Sequence, residues 1–224
     1  MPTLARYHQL KDEIMYHIYN RGNRKLKIFH DEEDHYKYKE LMMRDVKNGN
    51  LLIFHYSTMG NHYHIEAEFP EPEKMSSIIG GVNRGYTNYY HRKYKTSGYL
   101  WQGRFASKPI ESNEYSIICG GYIEMNPVRA GNVESPEDYK HSSAGYYILG
   151  KPDELITEDR NYHEFGKTVE ERREKYLNFL MENFQTRQEG LFREIIGSDE
   201  FKRKLCKKAG RWVPRRKGVP GFVS

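Results

Sequence analysis

The chain has 224 residues, enough for one sizeable domain or one domain with a smaller appendage. Its mean hydropathy is low (−0.91) and 30% of residues are charged, yet aromatics reach 14% with 19 tyrosines, a mixture that argues against a disordered chain. A net charge of +5 excludes neither a solvated surface nor a polyanionic partner, whereas 2 cysteines, Cys119 and Cys206, exclude a disulfide framework and a cysteine-based zinc cluster.

So few cysteines fit a reducing interior. The opening residues MPTLARYHQLKDEI hold no apolar run of signal-peptide length, and no segment approaches membrane-spanning length. The expectation is a soluble, cytoplasmic protein with no membrane partner.

Residues 14–19, IMYHIY, are aromatic and β-branched enough for a strand, which Gly22 and Asn23 end. Asp31 then opens a helix with acids in its first turn and Gly49 just past its end. Residues 51–58, LLIFHYST, form a second strand, Gly60 and Asn61 a turn, and 62–69, HYHIEAEF, an alternating third strand. Pro72 starts a further helix with apolar positions Met75, Ile78, Ile79, Val82 and Tyr86 at helical spacing. Residues 105–110, FASKPI, read as an edge strand because of Pro109. Ser112 N-caps a helix from Asn113 to about Asn126, where Pro127 stops it.

The order β-α-β-β-α-β-α predicts an α+β fold: a ferredoxin-like, split βαβ core, its four-stranded antiparallel sheet covered by helices on one face. From about residue 150 the character changes. Segment 167–185 is a charged helix with Tyr176, Phe179, Leu180 and Phe184 on one stripe, and 198–209 reads as another helix. Residues 202–217 carry nine Lys and Arg side chains, among them Lys207, Lys208, Arg215 and Arg216, and no acid. The expected division is residues 1–150 as one domain and 151–224 as a helical, basic extension.

Strand alternation places His62, His64 and Glu66 on one face of the third strand and Tyr63, Ile65 and Ala67 on the other. Two imidazoles so spaced can converge on one cation, but a half-exposed strand with two polar residues on its wet side has the same pattern. Tyr122 and Asn126 lie four residues apart, on one helical face. The phenol suits a nucleophile and the amide oxygen suits a hard-cation site; a core aromatic and a helix-ending amide would be spaced alike. Arg21, Arg24, Lys25, Arg84, Arg92, Lys93 and Arg104 are the candidate phosphate contacts of the core, and the run at 202–217 is a candidate as a block. Trp101 suits a packing anchor better than a base-stacking platform.

Four ordered stretches, 15-MYHIYNRGN-23, 56-YSTMGNHYHIEAE-68, 100-LWQGRF-105 and 122-YIEMNPVRAG-131, resemble the single-tyrosine HUH transposases. The likeness is to the REP-associated tyrosine transposase branch and its insertion-sequence relatives, and 139-YKHSSAGYY-147 resembles the segment that follows their core. It covers roughly residues 8–150. The resemblance implies a ferredoxin-like sheet, a divalent ion (Mg2+ or Mn2+) held by His62, His64 and Asn126, and Tyr122 as the nucleophile toward DNA. It further implies single-stranded or hairpin DNA as partner, sequence-specific nicking and strand transfer through a 5′-phosphotyrosine, and leaves open a homodimer in which Tyr122 serves the partner's site. Gly60 stands where the family often has proline, and Tyr63 where an aliphatic residue is usual; alternation turns Tyr63 away from the histidines. Two other readings remain: a non-catalytic nucleic-acid-binding module on the same sheet, and a phosphodiesterase that uses water.

Overall fold

Alternation along the strands decides how the layers form. Residues 14–111 and 113–184 are described by the computed structural model; the expected N-cap Ser112 and the helix and basic run expected over 198–217 lie outside the described residues. Strand β1 (Met15–Arg21), helix α1 (Glu32–Lys47), strands β2 (Leu52–Met59) and β3 (His62–Glu68), helix α2 (Met75–Tyr94) and strand β4 (Ala106–Pro109) follow in the expected order. The sheet runs β2-β3-β1-β4 with every neighbouring pair antiparallel, which is the ferredoxin-like split βαβ arrangement.

Local chemistry sets the boundaries. The Asp31 carboxylate accepts from the Asp34 N–H to cap α1, and Gly49 takes a positive φ of 68° just beyond its end. Helices α1 and α2 cover one face of the sheet. There Tyr63, Ile65 and Ala67 pack with Ile18, Tyr38, Met42, Ile79, Val82 and Tyr86 in the main apolar core. Trp101 anchors the same core, its indole N–H donating to Thr87 Oγ1 at 3.0 Å.

Helix α3 (Asn113–Arg129) lies across the other face, against β2 and β3. A bulge at Phe54 separates the pairs Ile53↔Ala67 and His55↔Glu66. The extra residue puts Ile53 on the apolar side and His55 under α3, where plain alternation would have placed them on one face.

The expected helix stop at Pro127 is corrected: α3 continues through it to Arg129. Proline removes a single backbone donor, and the last turn still closes, with Ala130 N–H donating to Asn126 O at 3.0 Å and Asn132 N–H to Pro127 O at 2.9 Å. Helices α4 (Ala144–Leu149) and α5 (Val169–Phe184) then buttress α3 from behind. Tyr176 and Leu180 of the expected α5 stripe are wholly buried in a cluster with Met125 and Tyr147. No described helix is long and apolar enough to cross a membrane.

Candidate active site

The antiparallel register brings the outward side chains of β1 and β3 together: Arg21 faces His62, Tyr19 faces His64 and His17 faces Glu66. Helix α3 supplies the opposite wall. Between them lies a cavity of about 900 Å³ lined by His62, His64, Tyr122 and Asn126, with Arg21, Arg104, Lys108 and Arg129 around it. The Tyr122 ring stands edge-on to His64 at 5.8 Å and to His17 at 6.2 Å, and the His62 and His64 rings are 5.1 Å apart. The four residues singled out by sequence thus line one cavity.

Burial sets the protonation of the imidazoles. Desolvation, aided by Arg21, lowers His62 to about 4; desolvation with the neighbouring His17 and His62 holds His64 well below the usual range. Both are neutral at pH 7, the form that binds cations. Hydrogen bonds fix how they present themselves. Asn61 Nδ2 donates to Lys25 O at 3.2 Å, so its Oδ1 is the atom that accepts from His62 Nδ1 at 2.5 Å, and the His62 Nε2 lone pair is left for a ligand. His17 Nε2 and His64 Nδ1 are 2.8 Å apart and share a proton; when His64 donates, its own Nε2 is likewise available.

Asn126 is oriented by the same logic. Its Nδ2 donates to Tyr122 O at 3.0 Å, one turn back along α3, which turns Oδ1 into the acceptor left for the cavity. Two neutral imidazole nitrogens and one amide oxygen form a mixed donor set suited to a divalent ion. The hydrogen bond from His17 fixes the orientation of the His64 ring within this set. The residues present fit a divalent metal.

Three basic residues of the cavity wall, His17, Lys108 and Arg129, were not singled out by sequence. His17 and Lys108 face each other across β1 and β4 on the cavity side, a placement that the alternation of 15–21 would have given once the register was known. Arg129 lays its guanidinium over the Tyr122 ring at 4.7 Å, with its Nε buried and unpaired. It lies two turns beyond Tyr122 on the same face, past the expected helix stop.

The candidate phosphate contacts divide. Arg21 and Arg104 line the cavity, Arg24 and Lys25 stand in the exposed loop beside it, and Arg84 sits exposed on α2, away from the cavity. Lys93 is corrected: its ammonium is held by Asp31, Glu33 and Asp34 at 2.8 to 3.0 Å, so it ties α1 to α2. Lys207, Lys208, Arg215 and Arg216 lie outside the described residues.

Beneath α3, opposite its cavity edge, lies a buried polar network. His55 donates from Nδ1 to Glu124 Oε1 at 2.9 Å and stands 3.4 Å from Asp159 Oδ2, while Ser143 and Tyr176 donate to Glu124. Burial opposes the charge on His55, but Glu124 and Asp159 outweigh it and raise the imidazole to about 10. Burial raises Glu66 to about 8. Ser116 Oγ touches both Glu66 and Asp159 with one hydroxyl proton, so a protonated Glu66 that donates to Ser116, which donates to Asp159, accounts for both contacts. Gly120 is required where α3 crosses His55, because a Cβ there would sit 2.5 Å from the ring.

The model of the family "Transposase IS200 like" matches residues 11–126, more than half of the chain and the stretch that carries this cavity. The chain belongs to the IS200-like transposase family. Membership makes it a DNA-processing protein of transposition, in line with the resemblance of its four ordered stretches. No curated protein matches it. A solved structure of a REP-associated tyrosine transposase bound to a REP hairpin is similar in fold, with a TM-score of 0.56, 19% identity, and coverage of 71% of this chain and 93% of that one.

Proposed function

We propose that this transposase is a metal-dependent, sequence-specific enzyme that nicks and rejoins single-stranded DNA through a covalent 5′-phosphotyrosine on Tyr122. The observation that carries the reading is the common cavity: a phenol on α3 stands edge-on to His64, one helical turn from Asn126. His62, His64 and Asn126 would hold the divalent ion, Mg2+ or Mn2+. When bound, such an ion polarises a phosphate and stabilises a departing oxygen.

The chain's own residues account for the rest. Tyr122 Oη attacks the phosphorus; the Oη–P bond forms as the bond from phosphorus to the 3′-oxygen breaks, and the leaving strand keeps a 3′-hydroxyl. A DNA 3′-hydroxyl reverses the step on the phosphotyrosine, so the bond is conserved without a nucleotide cofactor. An unassisted phenol with a pKa near ~10 is a poor nucleophile at neutral pH. The Arg129 guanidinium lies over the Tyr122 ring at 4.7 Å, a cation–π contact that holds the phenol at the cavity wall. Arg21, Arg104 and Lys108 ring the cavity with positive charge suited to a phosphate backbone.

Hairpin DNA with an adjoining single strand is the proposed partner, since the similar fold is seen on a hairpin. In this reading residues 1–150 are the catalytic domain, and residues 151–224 an extension whose α5 end supports α3 and whose basic end adds phosphate contacts. Incubating the chain with DNA flanking its gene, then running a denaturing gel, tests it. A metal-dependent protein–DNA adduct that vanishes in Tyr122→Phe is expected; cleavage without an adduct would point to water as the nucleophile instead.

A further inference from the structure

A second cavity, of about 640 Å³, adjoins the first, and Met59, His62 and Ala130 belong to the walls of both. A ladder of three near-parallel rings runs to its wall. Phe29 stacks on His35 at 4.9 Å and 19°, and His35 stacks on His141 at 3.7 Å and 1°. The inner two rings are buried and His141, the outer one, is half-buried.

The platform is rigid. His35 Nδ1 bonds Thr58 Oγ1 at 2.7 Å, and the His141 carbonyl accepts from the Thr58 N–H at 2.9 Å, so the outer ring is pinned to strand β2 through its backbone. Tyr139 meets the His141 ring edge-on at 5.5 Å and donates to Thr58 O. Burial lowers both imidazoles below their usual range, which leaves uncharged π faces.

The remaining lining has the chemistry of a nucleotide. Lys25 and Lys27 are exposed cations at its edge, and Asn132 is an exposed amide with both a donor and an acceptor. The two acids of the lining are already matched, Asp31 by Lys93 at 2.8 Å and Glu32 by Lys140 at 3.0 Å. The loop that carries Lys25 is strained: Arg24 and Lys25 both adopt left-handed backbone, at φ 51° and 62°. Gly22 is what permits the loop to close, because a Cβ there would collide with the Leu26 carbonyl.

We propose that this second cavity is a base-stacking subsite, in which the His141 ring receives one unpaired DNA nucleotide neighbouring the phosphate that reacts in the first. The shared His62 wall makes occupants of the two cavities neighbours along one strand. Lys25 and Lys27 meet the backbone and Asn132 the base edge. The inference rests on the DNA-nicking reading for the identity of the strand.

The test uses full-length chain carrying Tyr122→Phe, so that no DNA is cut during a titration. Single-stranded oligonucleotides from the flanking DNA carry 2-aminopurine at successive positions, and its fluorescence falls when the base is stacked. One position is expected to be quenched on binding. His141→Ala should abolish that quench and weaken binding about 5- to 150-fold, equivalent to the ~1–3 kcal/mol of one base–aromatic stack. His141→Phe should keep both. His141→Leu, which still covers His35 but has no π face, repeats the loss if the alanine variant is unstable. A bound oligonucleotide with no quenched position, or a quench unchanged by His141→Ala and His141→Leu, overturns the subsite. An adduct formed by the wild type alongside such a result sinks the subsite alone; a His141-dependent quench with no wild-type adduct sinks the nicking reading and leaves the subsite standing.

Discussion

On the face covered by α1 and α2, strand β3 buries Tyr63, Ile65 and Ala67 among tyrosines and aliphatics, and an ion cluster around Lys93 ties the two helices together. On the face covered by α3, the same strand turns out His62, His64 and Glu66. Half of that face is an open cavity, and the other half is a buried network of His55, Glu66, Glu124 and Asp159. A purely apolar seat would hold α3 by volume alone. Directional bonds to Glu124, two residues from both Tyr122 and Asn126, also fix its rotation and its height along the strand. Both faces therefore stabilise the fold, and only the polar one also sets how α3 is aimed.

The largest effect is expected from the smallest change. Tyr122→Phe removes one oxygen at the cavity, so cleavage and the covalent adduct should fall to background while the thermal midpoint and DNA affinity stay close to wild type. A variant that still nicks DNA at the normal rate would remove Tyr122 from the chemistry. Next come the cavity's nitrogen donors. His62→Ala, His64→Ala and treatment of the wild type with EDTA should each abolish cleavage, measured on the same labelled strand; Asn126→Ala should be milder, since water can replace an amide oxygen. Undiminished cleavage in EDTA would refute the metal. His17→Ala should cost about 10–100-fold in metal affinity, the usual effect of losing a partner that orients a ligand. Calorimetric titration with Mn2+ reads this directly.

A matched pair then compares the faces themselves. Ile79→Ala, on the apolar face, should cost about 2–5 kcal/mol in urea unfolding and leave the cleavage rate of the folded fraction unchanged. His55→Ala strands two buried carboxylates and should cost about 3–5 kcal/mol, with cleavage slowed as well because α3 loses its seat. Equal cleavage rates in the two folded variants would show that the polar network stabilises the fold without aiming α3.

The apolar face was legible in the sequence because it is periodic: period two in 62–69 and helical spacing in 75–86 suffice to place its residues. The same alternation put His62 and His64 on one side of the strand, and one helical turn put Tyr122 beside Asn126, but spacing left their roles open and only the resemblance singled the four out. What stayed hidden depends on irregularities. The bulge at Phe54 sends His55 under α3, against plain alternation. Arg129 lies beyond a proline that ordinarily ends a helix, although side-chain and end-of-helix bonds carry the turn past it. Asp159 comes from a segment without periodicity, so nothing local announces its pairing with His55. Lys93 pairs with an acid of a neighbouring helix, a partnership across space that no local pattern signals.

The subtlest prediction distinguishes the faces by pH alone. Glu66 and His55 both have folded pKa values above their ordinary ones, about 8 and about 10 against 4.5 and 6.5. A group raised in the folded state binds its proton more tightly there, so its contribution is complete below the unfolded value and is lost as pH climbs through the folded one. Glu66 therefore weakens the fold between about pH 4.5 and 8, and His55 between about 6.5 and 10. Buried tyrosines such as Tyr147 and Tyr176, pushed well above their usual range, extend the decline at the alkaline end. The urea midpoint should thus fall steadily from pH 6 to 10. Glu66→Gln, which keeps the shape and cannot ionise, should flatten the part of that fall below about 8 and move the His55 part to lower pH, because the Glu66 charge helps raise that imidazole. The apolar-face variant Ile79→Ala should shift the whole curve down without changing its form. A midpoint that holds level or rises across this window would mean that the groups beneath α3 do not share protons as their geometry requires, and the directional seat of the helix would have to be abandoned.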